Sequence, residues 1–214
     1  MPPDRPPVER EISVDDFDAP SPSPVDRAPG GSSIQRSIRE WVAGRNWWVR
    51  APLLLWLGWI LLRLWGDPLA PTIFNGIDLA IHEIGHIIWS PVGELAGYAG
   101  GTLTQLLAPL VAGAVLYRQR DWFGVAFAGA WLGINCFEIA AYAGDALARR
   151  LPLVSPVTAE PDHDWAYMLA RFDLLQHTET VAAAWQWAGR LSMMAGIGFG
   201  AWVLWLMARE RASP

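Results

Sequence analysis

From about residue 47 onward the chain alternates long apolar runs with short polar breaks. Five runs stand out, at about 47–65, 72–90, 101–117, 122–144 and 190–207. Each is close to the ~20 residues that carry a helix across a hydrocarbon core. The pattern predicts an all-α fold, a polytopic membrane helical bundle of about five spans. Arg63 interrupts the first run near its end, where a long side chain can reach the interface with its charged head. Gly66-Asp67-Pro68 and Pro71 predict a tight turn into the second run, and Arg118 to Asp121 predict another between the third and fourth.

The remaining sequence is of two kinds. Residues 1–33 are rich in Pro, Ser and Asp and nearly lack aromatics, so they cannot bury enough apolar area to offset chain entropy; a disordered tail is expected, followed by a membrane-embedded domain over 34–214. The tail also lacks the apolar core of a secretory signal. The stretch 146–189 is polar, and Pro152, Pro156 and Pro161 argue for a loop, within which Trp165 to Leu175 fits a short amphipathic helix lying on the surface.

Composition strengthens the membrane reading. The hydrophobic class makes up 52% of the chain, and there are 14 tryptophans, several of which (Trp47, Trp48, Trp65, Trp89, Trp122 and Trp185) flank apolar runs as interfacial residues do. The net charge of −5 is concentrated in the tail and gives no support for a nucleic-acid partner. Cys136 is the single cysteine, which excludes an intrachain disulfide and reads as a small buried hydrophobe. If all five runs span, the N-terminal arginines fall on one side with Arg149, Arg150, Arg171 and Arg190. The excess of arginine there makes that side, and the N-terminus, cytoplasmic.

Chemistry enters in the second run, which contains His82-Glu83-Ile84-Gly85-His86. Positions four apart share a helix face, so both imidazoles can hold one ion while the intervening carboxylate reaches a metal-bound water. In such a site zinc lowers the pKa of the water towards ~7, and Glu83 takes its proton and passes it to the leaving group. Three ionisable groups at depth are costly unless they face a polar cavity or one another, which sets this occurrence apart from a chance pattern. Asn75 and Asp78 extend the same face. Asp78 is either a hydrogen-bond partner behind His82 or an inter-helix contact.

An open zinc site needs a third protein ligand. The fourth run carries Asn135, Glu138, Tyr142 and Asp145 within about 80° on one helical face, and parity brings Asp145 to the membrane side of the motif. The following loop holds Asp162-His163-Asp164-Trp165. Asp145 ranks first as third ligand, His163 second and Asp164 behind both. The plainer roles are a helix-end cap or an Arg149 partner for Asp145, and a solvated loop position for His163. His177 reads as structural or exposed, and Glu138 as an inter-helix hydrogen bond ahead of a ligand or proton relay. Between the runs, Gly93 to Gln105 is rich in glycine. It fits exposed backbone that grips a peptide as an added strand, a re-entrant loop lining a cavity, or a flexible turn followed by a closely packed small-residue helix, with Thr102 and Gln105 as its notable polar groups.

The His-Glu-Ile-Gly-His run in an apolar helix, followed by Gly100-Gly101-Thr102-Leu103-Thr104-Gln105, resembles the site-2 protease superfamily of membrane-embedded zinc metallopeptidases, in particular its small bacterial branch. The likeness covers about residues 70–150. It implies zinc on His82 and His86, Glu83 as catalytic base, and an aspartate from a later helix, which falls on Asp145. Family members usually set that aspartate in a Leu-Asp-Gly context, whereas this chain reads Tyr142-Ala-Gly-Asp145-Ala. The resemblance implies an intramembrane endopeptidase of a bacterial inner membrane, acting on membrane-protein or peptide substrates. The alternatives are a non-catalytic scaffold whose closed metal site uses Asp145 and His163, and a hydrolase that uses another divalent ion.

Overall fold

A backbone surrounded by apolar side chains can satisfy its own N–H and C=O groups within helices. The computed structural model describes residues 33–153 and 162–212, and among these residues the fold is all-helical, with no strand. The tail, apart from Ser33, lies outside the described residues, as do Pro156 and Pro161. In order, the helices are α1 (Ser33–Val42), α2 (Ala51–Gly66), α3 (Asn75–Trp89), α4 (Glu94–Arg118), α5 (Trp122–Gly144), α6 (Asp164–Arg171) and α7 (Thr178–Ala212). Short 3-10 turns occur at Trp47–Val49, Ser90–Val92 and Leu175–His177.

The five apolar runs correspond to α2, α3, α4, α5 and α7, but three of these helices, α4, α5 and α7, are long and apolar enough to cross a membrane. With 16 and 15 residues, α2 and α3 are short. At ~1.5 Å rise per residue they reach roughly 22–24 Å, against a ~30 Å hydrocarbon core. The turn between them is the cause. Asp67 ends α2 in extended backbone and accepts a hydrogen bond from Leu69 N at 3.0 Å, and α3 starts only at Asn75.

Two boundaries differ from the pattern. α4 begins at Glu94, so the glycine-rich stretch is helix and not an added strand. Gly93 precedes it at φ 142, a conformation that side chains disfavour, and it turns the chain from α3 into α4. α7 begins at Thr178 and not near 190, because Val181 to Ala184 is good helix-forming sequence and Ala182 packs under Gly144 of α5. The expected loop over 146–189 is correspondingly shorter, and Arg190 lies inside α7 with its guanidinium over Trp65 and Trp187.

Packing centres on α5, whose Ala130, Ile134 and Phe137 meet Leu57, Ile60 and Leu64 of α2, Phe74, and Met193 of α7. α5 and α7 run antiparallel at glycine crossings. A Cβ at Gly133 would come within 2.7 Å of Gly189 O, and one at Gly196 within 2.6 Å of Ala126 O. α3 and α4 cross in the same way, with Gly85 against Gly100. The outer surface is apolar, as Leu55, Leu62 and Ile73 illustrate, and is compatible with a lipid environment.

The short helix after the loop is α6. It does not merely lie on the surface: Ala166 and Leu169 bury against Ala146, and Tyr167 stacks on Tyr98 of α4 at 3.8 Å. This docking carries the first turn of α6 to the motif face of α3.

Candidate metal centre

His82 and His86 lie one helical turn apart on α3, with ring centroids 4.8 Å apart. Each ring has one nitrogen facing an acceptor. His82 Nδ1 is 3.2 Å from Gln105 Oε1, and His86 Nδ1 is 2.7 Å from the Gly97 carbonyl. Neither oxygen can donate, so each Nδ1 carries the proton and each Nε2 keeps its lone pair. Both Nε2 atoms point to one place. Asp164 Oδ2, from the first turn of α6, lies 3.2 Å from each of them.

The ligand atoms of His82, His86 and Asp164 fall within 4.8 Å of one another. Ligand atoms bonded at ~2.0–2.1 Å to one tetrahedral zinc stand roughly 3.3 Å apart, so the two 3.2 Å spacings at Asp164 Oδ2 suit a shared ion, while the widest spacing in the group would have to narrow on binding. Protonation alone fits less well: both rings would need a second proton, placing two cations side by side against one buried carboxylate. His82 and Asp164 are 6% and 7% exposed. A divalent cation would meet all three lone pairs at once. Tyr142 OH also donates to Asp164 Oδ2 at 3.1 Å and accepts from Asp164 N at 3.2 Å, which orients the carboxylate.

The structure does not bring Asp145 or His163 into this group. Asp145 caps the end of α5, where its carboxylate accepts from Arg150 N at 2.9 Å and Leu151 N at 2.8 Å. His163 is the N-cap of α6, accepts from Ala166 N through Nδ1, and stacks on Tyr142. The two face each other at 3.7 Å from His163 Nε2 to Asp145 Oδ2. Burial pushes the His163 imidazole down, against the pull of Asp145 and Asp164. The gathered group therefore contains Asp164, the third-ranked candidate, with the other two packed behind it.

Glu83 is half-buried and lines, with His82 and Tyr142, a cavity of about 330 Å³. The cavity walls include Leu64, Leu79, Ile134 and Leu153, with Asn75, Gln105 and Glu138 as the main polar groups. Asp78 makes the inter-helix contact: Trp131 Nε1 donates to its Oδ1 at 2.9 Å. Glu138 joins helices too, accepting from Asn75 Nδ2 and from Gln105 Nε2, each at 2.9 Å. His177 is exposed and Cys136 buried.

The backbone carbonyl of Gly97 behind His86, like Trp131 behind Asp78, is a partner that the sequence did not single out. The only signal for the carbonyl was the glycine spacing that lets α4 approach α3. No family model, curated protein or solved structure matches the chain.

Proposed function

We propose that the chain is an intramembrane zinc metalloendopeptidase of the site-2 protease type, cleaving peptide bonds of membrane-protein or peptide substrates. The observation that carries the reading is the convergence of His82 Nε2, His86 Nε2 and Asp164 Oδ2 beside a cavity lined by Glu83. In this reading the bundle sits in a bacterial inner membrane with its N-terminus cytoplasmic, and α2 and α3 complete five membrane segments around the spans α4, α5 and α7.

The donor set suits zinc: two imidazoles and one carboxylate leave a tetrahedral ion one open position, the arrangement of a catalytic rather than a structural site. A zinc ion held there supplies a Lewis acid that brings the ionisation of water towards neutral pH. The chain's own residues do the rest. His82, His86 and Asp164 bind the ion, while Gln105, Gly97 and Tyr142 orient them. Glu83 takes the proton of the attacking water on its carboxylate and returns it to the leaving amine. The apolar walls of the cavity receive substrate and limit water. A closed scaffold site would need a fourth protein donor, and among the described residues the group has three.

The test is Glu83→Gln in detergent-purified protein. Zinc content should stay at one per chain while cleavage of a membrane-peptide library is lost; retained cleavage sinks the mechanism, and absence of zinc from the wild type sinks the metal site.

A further inference from the structure

The two motif histidines are held in different ways. His86 donates to a backbone carbonyl, an acceptor that cannot turn into a donor. His82 instead donates to an amide side chain, which could equally present its NH2 and force the opposite tautomer. Something must fix the direction of Gln105.

The fixing groups form a chain across three helices. The backbone N–H of Thr72 can only donate, and it meets Asn75 Oδ1. Asn75 must therefore turn its Nδ2 outward, where it donates to Glu138 Oε1 at 2.9 Å. The other carboxylate oxygen, Oε2, accepts from Gln105 Nε2 at 2.9 Å. That leaves Gln105 Oε1 facing His82 Nδ1 at 3.2 Å. Both oxygens of Glu138 accept, as a carboxylate requires, and each link dictates the direction of the next.

We infer that Glu138 is a positioning residue that, through Gln105, fixes the proton of His82 on Nδ1 and so keeps Nε2 as the atom facing Asp164. Its carboxylate lies outside the His82, His86 and Asp164 group and contacts Asn75 and Gln105 instead. The inference rests on the metal reading for its consequence, tight zinc binding, but not for the tautomer itself.

The experiment uses the full chain in detergent, labelled with 15N-histidine at its four imidazoles, together with zinc competition against a chromogenic chelator. The variants are Gln105→Leu, Glu138→Gln and the double variant Asn75→Asp/Glu138→Gln. In Glu138→Gln the new amide meets the Asn75 NH2 donor to donor, or turns and meets that of Gln105. Zinc affinity should fall about ten- to hundredfold, as for loss of other groups that orient a ligand, and the His82 nitrogens should shift while those of His177 do not. In the double variant the new carboxylate at 75 accepts from Thr72 N and from the new amide at 138, whose oxygen again faces Gln105. Wild-type affinity and His82 shifts should return, which a merely space-filling role would not produce.

Unchanged affinity and His82 shifts in Glu138→Gln and Gln105→Leu would overturn the inference, as would a double variant no better than the single. If the wild type takes up no zinc, the metal reading falls while the nitrogen shifts of the metal-free chain still decide. A proton held on His82 Nδ1 in the wild type and displaced in Gln105→Leu supports the positioning role; no difference overturns it.

Discussion

Removing the Asp164 carboxylate separates the geometry seen here from the ranking that the sequence suggests. Apparent zinc binding to a protein site is worth about 10–16 kcal/mol, so one of three protein ligands carries roughly 3–5 kcal/mol. At ~1.4 kcal/mol per tenfold, Asp164→Ala should weaken zinc binding about 10²- to 10⁴-fold. Asp145→Ala removes the acceptor for Arg150 N and Leu151 N and should cost about 1–3 kcal/mol of fold stability, at ~0.5–1.5 kcal/mol per hydrogen bond. His163→Ala removes the N-cap of α6, about 0.5–2 kcal/mol. Neither contributes a donor to the group, so zinc affinity should change by much less than in Asp164→Ala. The assay is chelator competition on detergent-purified variants whose helix content by circular dichroism matches the wild type. A loss in Asp145→Ala or His163→Ala as deep as in Asp164→Ala would refute the ligand set.

Two further perturbations address the helix crossings. A Cβ at Gly101 would overlap the His82 ring; strain of ~1–3 kcal/mol is typical of such overpacking, so Gly101→Ala should weaken zinc about ten- to hundredfold with little loss of helix content. Gly133→Val meets Met193 and the Gly189 carbonyl at the α5–α7 crossing, and none of these residues belongs to the His82, His86 and Asp164 group. It should lower the thermal midpoint in detergent by overpacking, at a cost of about 1–3 kcal/mol or more, while any folded fraction still binds zinc at wild-type affinity.

The helices were legible because their apolar runs are long, and the motif was legible because its spacing matches a helical turn. Boundaries were less so. Glu94 to Gly100 mixes helix formers (Glu94, Leu95, Ala96, Ala99) with the helix-disfavouring Gly97 and Gly100, so its composition does not separate a helix from a loop, and the helix there depends on the tertiary crossing with α3. The choice among Asp145, His163 and Asp164 was harder still. The two loop candidates are adjacent residues, so one turn of backbone decides which faces inward. Aspartate is ordinarily the better N-cap, yet His163 takes the cap position through Nδ1 and its ring stacks on Tyr142, leaving Asp164 in the first turn of α6 and aimed at the histidines. Only the docking of α6 through Ala166, Leu169 and Tyr167 fixes that phase, and such a docking leaves no local pattern in the sequence.

The motif's fourth position shows how packing and chemistry are joined. His82, Gly85 and His86 occupy one face of α3, and this face meets α4. A side chain at Gly85 would strike Gly100 and Thr104, and α4 would have to stand off. It is the close approach that brings the Gly97 carbonyl within 2.7 Å of His86 and Gln105 within 3.2 Å of His82. Both Nδ1 partners thus come from one crossing, and so does the orientation of both Nε2 atoms towards Asp164. Gly85 therefore sets the direction of both imidazoles: the His82, His86 and Asp164 cluster depends on α3 and α4 meeting at backbone distance, and a bundle of the same helices crossing one side chain further apart would retain the motif and lose the cluster.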